Sequence, residues 1–151
     1  MEIIAYTDGS ALGNPGRGGY GVVLISGPHR KEISQGFELT TNNRMELLAV
    51  IIALESLKIA GSSITVYSDS KYVVDSIVKK WVWSWEKINF KDKKNTDLWK
   101  RFLEIYPKHK VTVKWVKAHV GIKENERCDT LAVEAAKSKN LLRDEYYEKN
   151  S

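Results

Sequence analysis

Cysteine is almost missing from this 151-residue chain. Its single thiol, Cys128, excludes an internal disulfide framework and suits a reducing compartment. The three histidines form no cluster, so neither sulfur nor imidazole offers a metal-ligand set. No apolar run approaches the roughly 18 residues that would signal a membrane-spanning helix. The first residues, Met1-Glu2-Ile3-Ile4-Ala5-Tyr6, lack the basic and then apolar run of a secretion signal. These absences point to a soluble, cytoplasmic protein that does not work at a membrane. What is present is a 42% apolar composition, enough for one domain with its own core, and a net charge of +5 that favours an anionic partner.

The first strand, Ile3 to Ser10, carries a carboxylate where apolar side chains belong. With a side-chain period of two, Ile4, Tyr6 and Asp8 share one face. Asp8-Gly9 also suits a hairpin turn, but Ala11 to Gly19 has loop chemistry instead of an immediate second strand. Within that loop, Gly16-Arg17-Gly18-Gly19-Tyr20-Gly21 matches a dinucleotide fingerprint. The β-branched run Val22-Val23-Leu24-Ile25 follows it where a helix would have to open, so the glycines are read as places of close backbone approach.

A turn at Ser26 to His29 leads to a third strand, Lys31 to Leu39, and then to a helix expected to run from about Asn43 to Lys58. Glu46 admits two readings. It can form a capping pair with Asn43, or it can head the inward stripe of Ala49, Val50, Ala53 and Leu57. Asp69 is equally divided. It follows the fourth strand, Ile64 to Ser68, where it can cap the next helix or sit at the carboxyl end of a strand, where open α/β sheets place ligands.

Residues Lys79 to Arg101 hold four of the five tryptophans, with eight basic and three acidic residues, so the local excess equals the charge of the whole chain. Trp81 and Trp85, one helical turn apart, suit packing anchors or stacking platforms. The lysines suit either a solvated face or a grip on phosphate. A helix from Thr96 stops at Pro107, a fifth strand spans Lys110 to Val116, and His119 follows in a short loop where exposure is expected. In the last helix, from about Glu124 to Lys139, Asp129 faces the same way as Ala132, Val133 and Ala136.

Strands one to three should form an antiparallel meander, with the first, fourth and fifth parallel, in an α/β (α+β mixed) sheet with helices. That arrangement can gather Asp8, Glu46, Asp69 and Asp129 at one end. Two like charges about 4 Å apart repel by roughly 4 kcal/mol at an effective dielectric near 20. Three such pairs approach the roughly 5–15 kcal/mol that holds a domain folded, so the cluster must bind cations or protonate. Oxygen-only ligation selects Mg²⁺ or Mn²⁺ over zinc, and paired hard ions beside a basic surface suit phosphodiester cleavage. An exposed histidine nearby can move protons. The residues themselves lead to a metal-dependent nuclease.

Five motifs then carry a resemblance. Thr7-Asp8-Gly9-Ser10 with Gly13-Asn14-Pro15-Gly16, Thr41-Asn42-Asn43-Arg44-Met45-Glu46-Leu47, Ser68-Asp69-Ser70, Trp115 to His119, and Glu124 to Asp129 resemble the bacterial type 1 ribonuclease H family in order and spacing. The resemblance implies a five-stranded mixed sheet in order 3-2-1-4-5, with one domain over residues 1–140, a basic protrusion at 79–95 and a loose charged tail at 141–151. It implies Mg²⁺-dependent cleavage of the RNA strand of RNA–DNA hybrids to 5′-phosphate and 3′-hydroxyl ends by a monomer. Asp8, Glu46, Asp69 and Asp129 would hold the ions, two during turnover, with Mn²⁺ as a substitute and His119 assisting proton transfer or product departure. Gly9, Asn14, Asn42 and Asn43 match hybrid contacts, and Thr41 and Asn95 a pocket for a DNA-strand phosphate. Trp81 and Trp85 match the protrusion's aromatic positions. Lys71 takes a minor-groove position where glutamine is common, Leu39 replaces a polar residue near the phosphate pocket, and Ala118 replaces a common glycine. Integrases and transposases share the metal logic, and a catalytically silent hybrid-binding module is a third class.

Overall fold

Period-two patterning gives the first three strands, β1 (Glu2–Ala11), β2 (Gly16–Ser26) and β3 (His29–Thr40), which pair antiparallel as a meander. The computed structural model describes residues 2–117 and 122–150. Strands β4 (Ser63–Ser68) and β5 (Lys110–Trp115) follow crossover helices, and β1, β4 and β5 lie parallel as expected. The sheet has a sixth strand, β6 (Leu141–Leu142), parallel to β3, so its order is β5-β4-β1-β2-β3-β6. This corrects the expectation of five strands. Two residues are too few for alternation to reveal them in the sequence.

Helix α1 (Asn42–Glu55) crosses the centre, with Met45, Leu47, Leu48, Ala49, Val50, Ile51, Ala53 and Leu54 all buried. It ends three residues before the expected Lys58, where the Ser56 hydroxyl donates to the Ile52 carbonyl at 2.6 Å. Helices α2 (Lys71–Val78), α3 (Trp81–Lys87) and α4 (Thr96–Ile105) follow, and a 3₁₀ turn at Tyr106–Lys108 holds Pro107. Trp99 and Phe102 of α4 are fully buried, and Trp85 meets Trp99 edge-on at 5.9 Å, so Trp85 is a packing anchor. Trp81 stays 42% exposed.

Helix α5 (Lys123–Lys137) covers the opposite face of the meander. It lies against bare strand backbone, because a Cβ on Gly21 or Gly36 would overlap the carbonyl of Cys128 or Ala135. Gly19 and Gly21 of the false dinucleotide motif serve this close approach. Among the described residues no helix is long and apolar enough to cross a membrane.

The charged segment after Leu141, expected to be loose, is held. Helix α6 (Glu145–Asn150) follows β6, and the Asp144 carboxylate is buried against Arg44. Arg44 Nε and Nη2 donate to Asp144 at 2.7 and 3.0 Å, and Nη1 and Nη2 donate to Asp97 at 2.8 and 2.7 Å. The Thr40 hydroxyl donates to the same Asp144 carboxylate at 2.7 Å.

Gly21→Ala tests the approach of α5. The added methyl forces the helix away from β2, and a loss of roughly 3 kcal/mol is expected from the urea midpoint with an unchanged m-value.

Candidate active site

Strand register brings two distant acids together. Thr7 pairs with Ser68 as the last pair across the parallel strands β1 and β4, so Asp8 and Asp69, each one residue further on, stand where that pairing ends. A third acid arrives from α1. Gly9 has no side chain, and a Cβ there would overlap the Met45 and Glu46 backbone, so the start of α1 presses directly on β1. The Gly9 amide donates to Glu46 Oε1 at 2.7 Å and to Asp8 Oδ1 at 2.9 Å.

Those bonds decide between the two readings of Glu46. Its carboxylate turns to Gly9, while Thr41 caps α1 by accepting from the Arg44 amide at 3.2 Å. Asp69 is no helix cap either. Ser70 fills that role by accepting from the Val73 amide at 3.2 Å, and Asp69 Oδ1 lies buried without a hydrogen-bond partner among the described residues.

Carboxylate oxygens of Asp8, Glu46 and Asp69 all lie within 4.8 Å of one another. Asp129 belongs to the wall of the adjoining cavity of about 230 Å³, which Asp8, Asp69, Asn125, Glu126 and Thr130 also line. The structure thus gathers three of the four expected acids tightly and sets the fourth on the same cavity. His119 lies outside the described residues.

Electrostatics follow from the crowding. Burial, then the neighbouring Asp69 charge, pushes the Asp8 carboxyl up to about 7. Burial, then Asp8 and Asp69, holds the Glu46 carboxyl well above the ordinary value. Paired carboxylates with one bare oxygen form a donor set suited to a hard divalent cation.

A second concavity, about 690 Å³, lies beside the start of α1 and collects Asn14, Thr41, Asn42, Asn43 and Asn95 with Lys93 and Lys94. Asn14 Oδ1 accepts from the Asn42 amide at 3.0 Å and Asn42 Oδ1 from the Ala11 amide at 2.6 Å. Among the described residues neither NH₂ group has a partner, so both can donate to a ligand. Asn95, in the left-handed region at φ 61°, accepts from Arg44 Nη1 at 3.4 Å and donates to the Tyr72 hydroxyl at 3.0 Å. Lys71 stands apart, its ammonium 4.1 Å from the centre of the Trp115 ring. Sequence reasoning missed Arg44, whose charge gave no sign that its side chain would be only 3% exposed. It also missed Tyr146, Tyr147 and Asn150, which line the same groove from α6.

A six-stranded mixed sheet with acids converging where β1 and β4 end has the ribonuclease H-like fold. LC9-RNase H1, described as a type 1 RNase H with the type 2 active-site motif, superposes with a TM-score of 0.80 at 31% identity over 99% of this chain and 81% of that one. The RNase H family model matches residues 1–137, and the chain belongs to the ribonuclease H family. Ribonuclease H of Syntrophus aciditrophicus (strain SB) is 54% identical over 151 residues, covering 97% of this chain and 87% of the relative. That of Rippkaea orientalis is 51% identical over 152 residues, covering 97% and 93%. LC11-RNase H1, solved in complex with RNA/DNA hybrid, has a TM-score of 0.64 at 28% identity and covers 89% of this chain and 96% of that one.

The raised Asp8 carboxyl has a stability consequence in metal-free protein. Between its ordinary value of 3.8 and about 7 the folded state holds a proton that the unfolded state has lost, so stability falls as pH rises through that window. Asp8→Asn is expected to be more stable than the parent at pH 8 in chelator and nearly equal to it at pH 4. Urea unfolding at both values checks this, and Glu46 leaves some residual slope.

Proposed function

We propose that the chain is an endoribonuclease that hydrolyses the RNA strand of RNA–DNA hybrids, leaving 5′-phosphate and 3′-hydroxyl ends. The observation that carries this reading is the convergence of Asp8, Glu46 and Asp69 around a buried Asp69 oxygen that has no partner among the described residues, together with a groove rich in neutral donors and lysine. The donor set fits Mg²⁺, with Mn²⁺ as a substitute, held by Asp8, Glu46, Asp69 and Asp129. Two such ions, when bound, supply Lewis-acid stabilisation of the charge that develops around the scissile phosphate.

The chain's own groups do the rest. The Gly9 amide fixes the Asp8 and Glu46 carboxylates by donating to both, so the donor oxygens are set before substrate arrives. Because that amide is occupied, Gly9 meets the hybrid through its carbonyl, which can accept from a 2′-hydroxyl, the group that distinguishes RNA from DNA. Asn14, Asn42 and Asn43 offer NH₂ donors beside it, and Thr41 and Asn95 take a DNA-strand phosphate. Trp81, 42% exposed with the Lys79 ammonium 5.3 Å from its ring centre, offers aromatic and cationic surface from the basic protrusion 79–95, Trp85 anchors that protrusion against Trp99, and Lys71 reaches the minor groove. His119 takes or delivers a proton at the leaving oxygen or helps product depart. The chain acts as one catalytic domain that includes the segment after residue 140, in a cytoplasmic monomer.

End-labelled RNA–DNA hybrid, duplex RNA, duplex DNA and single-stranded RNA, each with and without Mg²⁺, test the reading. Cleavage of the hybrid alone, dependent on the ion and abolished by Asp8→Asn, is expected. Hydrolysis of duplex DNA, or of no substrate, overturns it.

Among the described residues Lys91, Lys93 and Lys94 form no ion pair, which leaves their charge available to phosphate. Replacing all three with glutamine is expected to weaken hybrid binding and to reduce the slope of log K against log salt by about 0.9 for each phosphate that is no longer neutralised. An unchanged slope returns those lysines to solubility.

A further inference from the structure

The C-terminal segment has a face that the proposed function leaves unused. In α6, Tyr146, Tyr147 and Asn150 stand at spacings of three and four residues and line the groove that also holds Lys93, Lys94 and Asn95. The acids of the same helix are elsewhere: neither Glu145 nor Glu148 lines the groove, and Glu148 pairs with Arg143 at 2.7 Å. No Asp or Glu is found among the groove's lining residues, although the chain carries 19 of them. A helix that is charged in composition therefore turns only neutral donors toward the two lysines.

The segment is also aimed. Arg44 binds Asp144 on one side and Asp97 on the other, and its guanidinium lies 5.4 Å from the centre of the Tyr146 ring. The Tyr146 hydroxyl shares a hydrogen bond with Thr96 at 2.7 Å. One Asn150 amide hydrogen goes to the Tyr146 carbonyl at 2.8 Å, which leaves the other for a ligand. The Tyr147 hydroxyl has no partner among the described residues.

We propose that α6 is a wall of the substrate groove, in which the Tyr147 hydroxyl and the second Asn150 amide hydrogen donate to one backbone phosphate of the bound hybrid. Tyr146 is a positioning residue, held by Arg44 and Thr96 so that its neighbours face the groove. This rests on the proposed function, since the phosphate belongs to the same substrate.

The test uses the full chain with Tyr147→Phe combined with Asn150→Ala, which leaves Asp144, Arg44 and Tyr146 in place. The expected result is a KM for long hybrid raised about tenfold with kcat unchanged, as for removal of hydrogen bonds to a charged group. A series of hybrids carrying one neutral methylphosphonate linkage, moved along each strand in turn, locates the phosphate. One linkage should weaken the parent enzyme and leave the double variant unaffected. Thermal unfolding of the variant at the parent's temperature keeps a folding defect from imitating the effect. If the parent cleaves hybrid and the double variant has the same KM and the same linkage profile, α6 is no part of the groove and the proposed function stands. If the parent cleaves no hybrid, the proposed function falls and the α6 phosphate site falls with it.

Discussion

Mutual repulsion among Asp8, Glu46 and Asp69 is the constraint around which the fold is arranged. With their oxygens within 4.8 Å, each fully ionised pair opposes folding by roughly 3–4 kcal/mol at an effective dielectric near 20. The Gly9 amide relieves it only in part and no ion pair among the described residues does, because the lysines Lys93 and Lys94 line the neighbouring groove and the buried Arg44 is committed to Asp97 and Asp144. The surrounding structure therefore has to hold the acids in place. Parallel pairing of β1 with β4 fixes Asp8 against Asp69, and the bare backbone at Gly9 lets α1 bring Glu46 within reach of the same amide that holds Asp8. The burial that raises their pKa values follows from the rigidity that keeps them together.

Arg44 does for the groove what Gly9 does for the acids. It stands in the first turn of α1, two residues before Glu46, so the helix that delivers a carboxylate to one site delivers a cation to the frame of the other. A lone buried guanidinium would be costly, but Asp97 and Asp144 compensate it from α4 and from the C-terminal segment. The C-terminal segment is thereby tied to the helix that carries Glu46. Asn95, in its left-handed conformation, receives one of the remaining Arg44 hydrogens, which couples the basic loop to the same post.

Much of this was legible before any coordinates. Asp8 broke the alternation of an apolar strand, and Glu46 and Asp129 each headed an apolar helical stripe, which marks a carboxylate directed toward the core. Strand directions followed from short turns between strands one and three and from helices between the parallel ones, and the order of strands from the family resemblance. The parts that stayed hidden had no periodic signal. A two-residue strand shows no alternation, and Glu, Arg and Lys at 143–149 look the same whether the segment is solvated or pinned by a buried ion pair. Caps were misplaced by one or two residues, Thr41 for Asn43 and Ser70 for Asp69, because adjacent polar residues are equally good acceptors and tertiary contacts choose between them.

The separation of lysines from acids bears on how a polyanion could be accommodated at all. A phosphodiester approaching the acidic cavity adds another negative charge to a place where carboxyls already hold protons toward neutrality. Lys93 and Lys94 line the other concavity and are not among the residues of the acidic cavity. They can hold the flanking backbone, where their effect on affinity is large and their effect on the reacting phosphate small. Charge balance at the cavity itself is left to protons or cations held by the acids, so the basic and the acidic groups serve different places. Substitutions in the groove should then register in KM, and substitutions among the acids in kcat, with little exchange between the two.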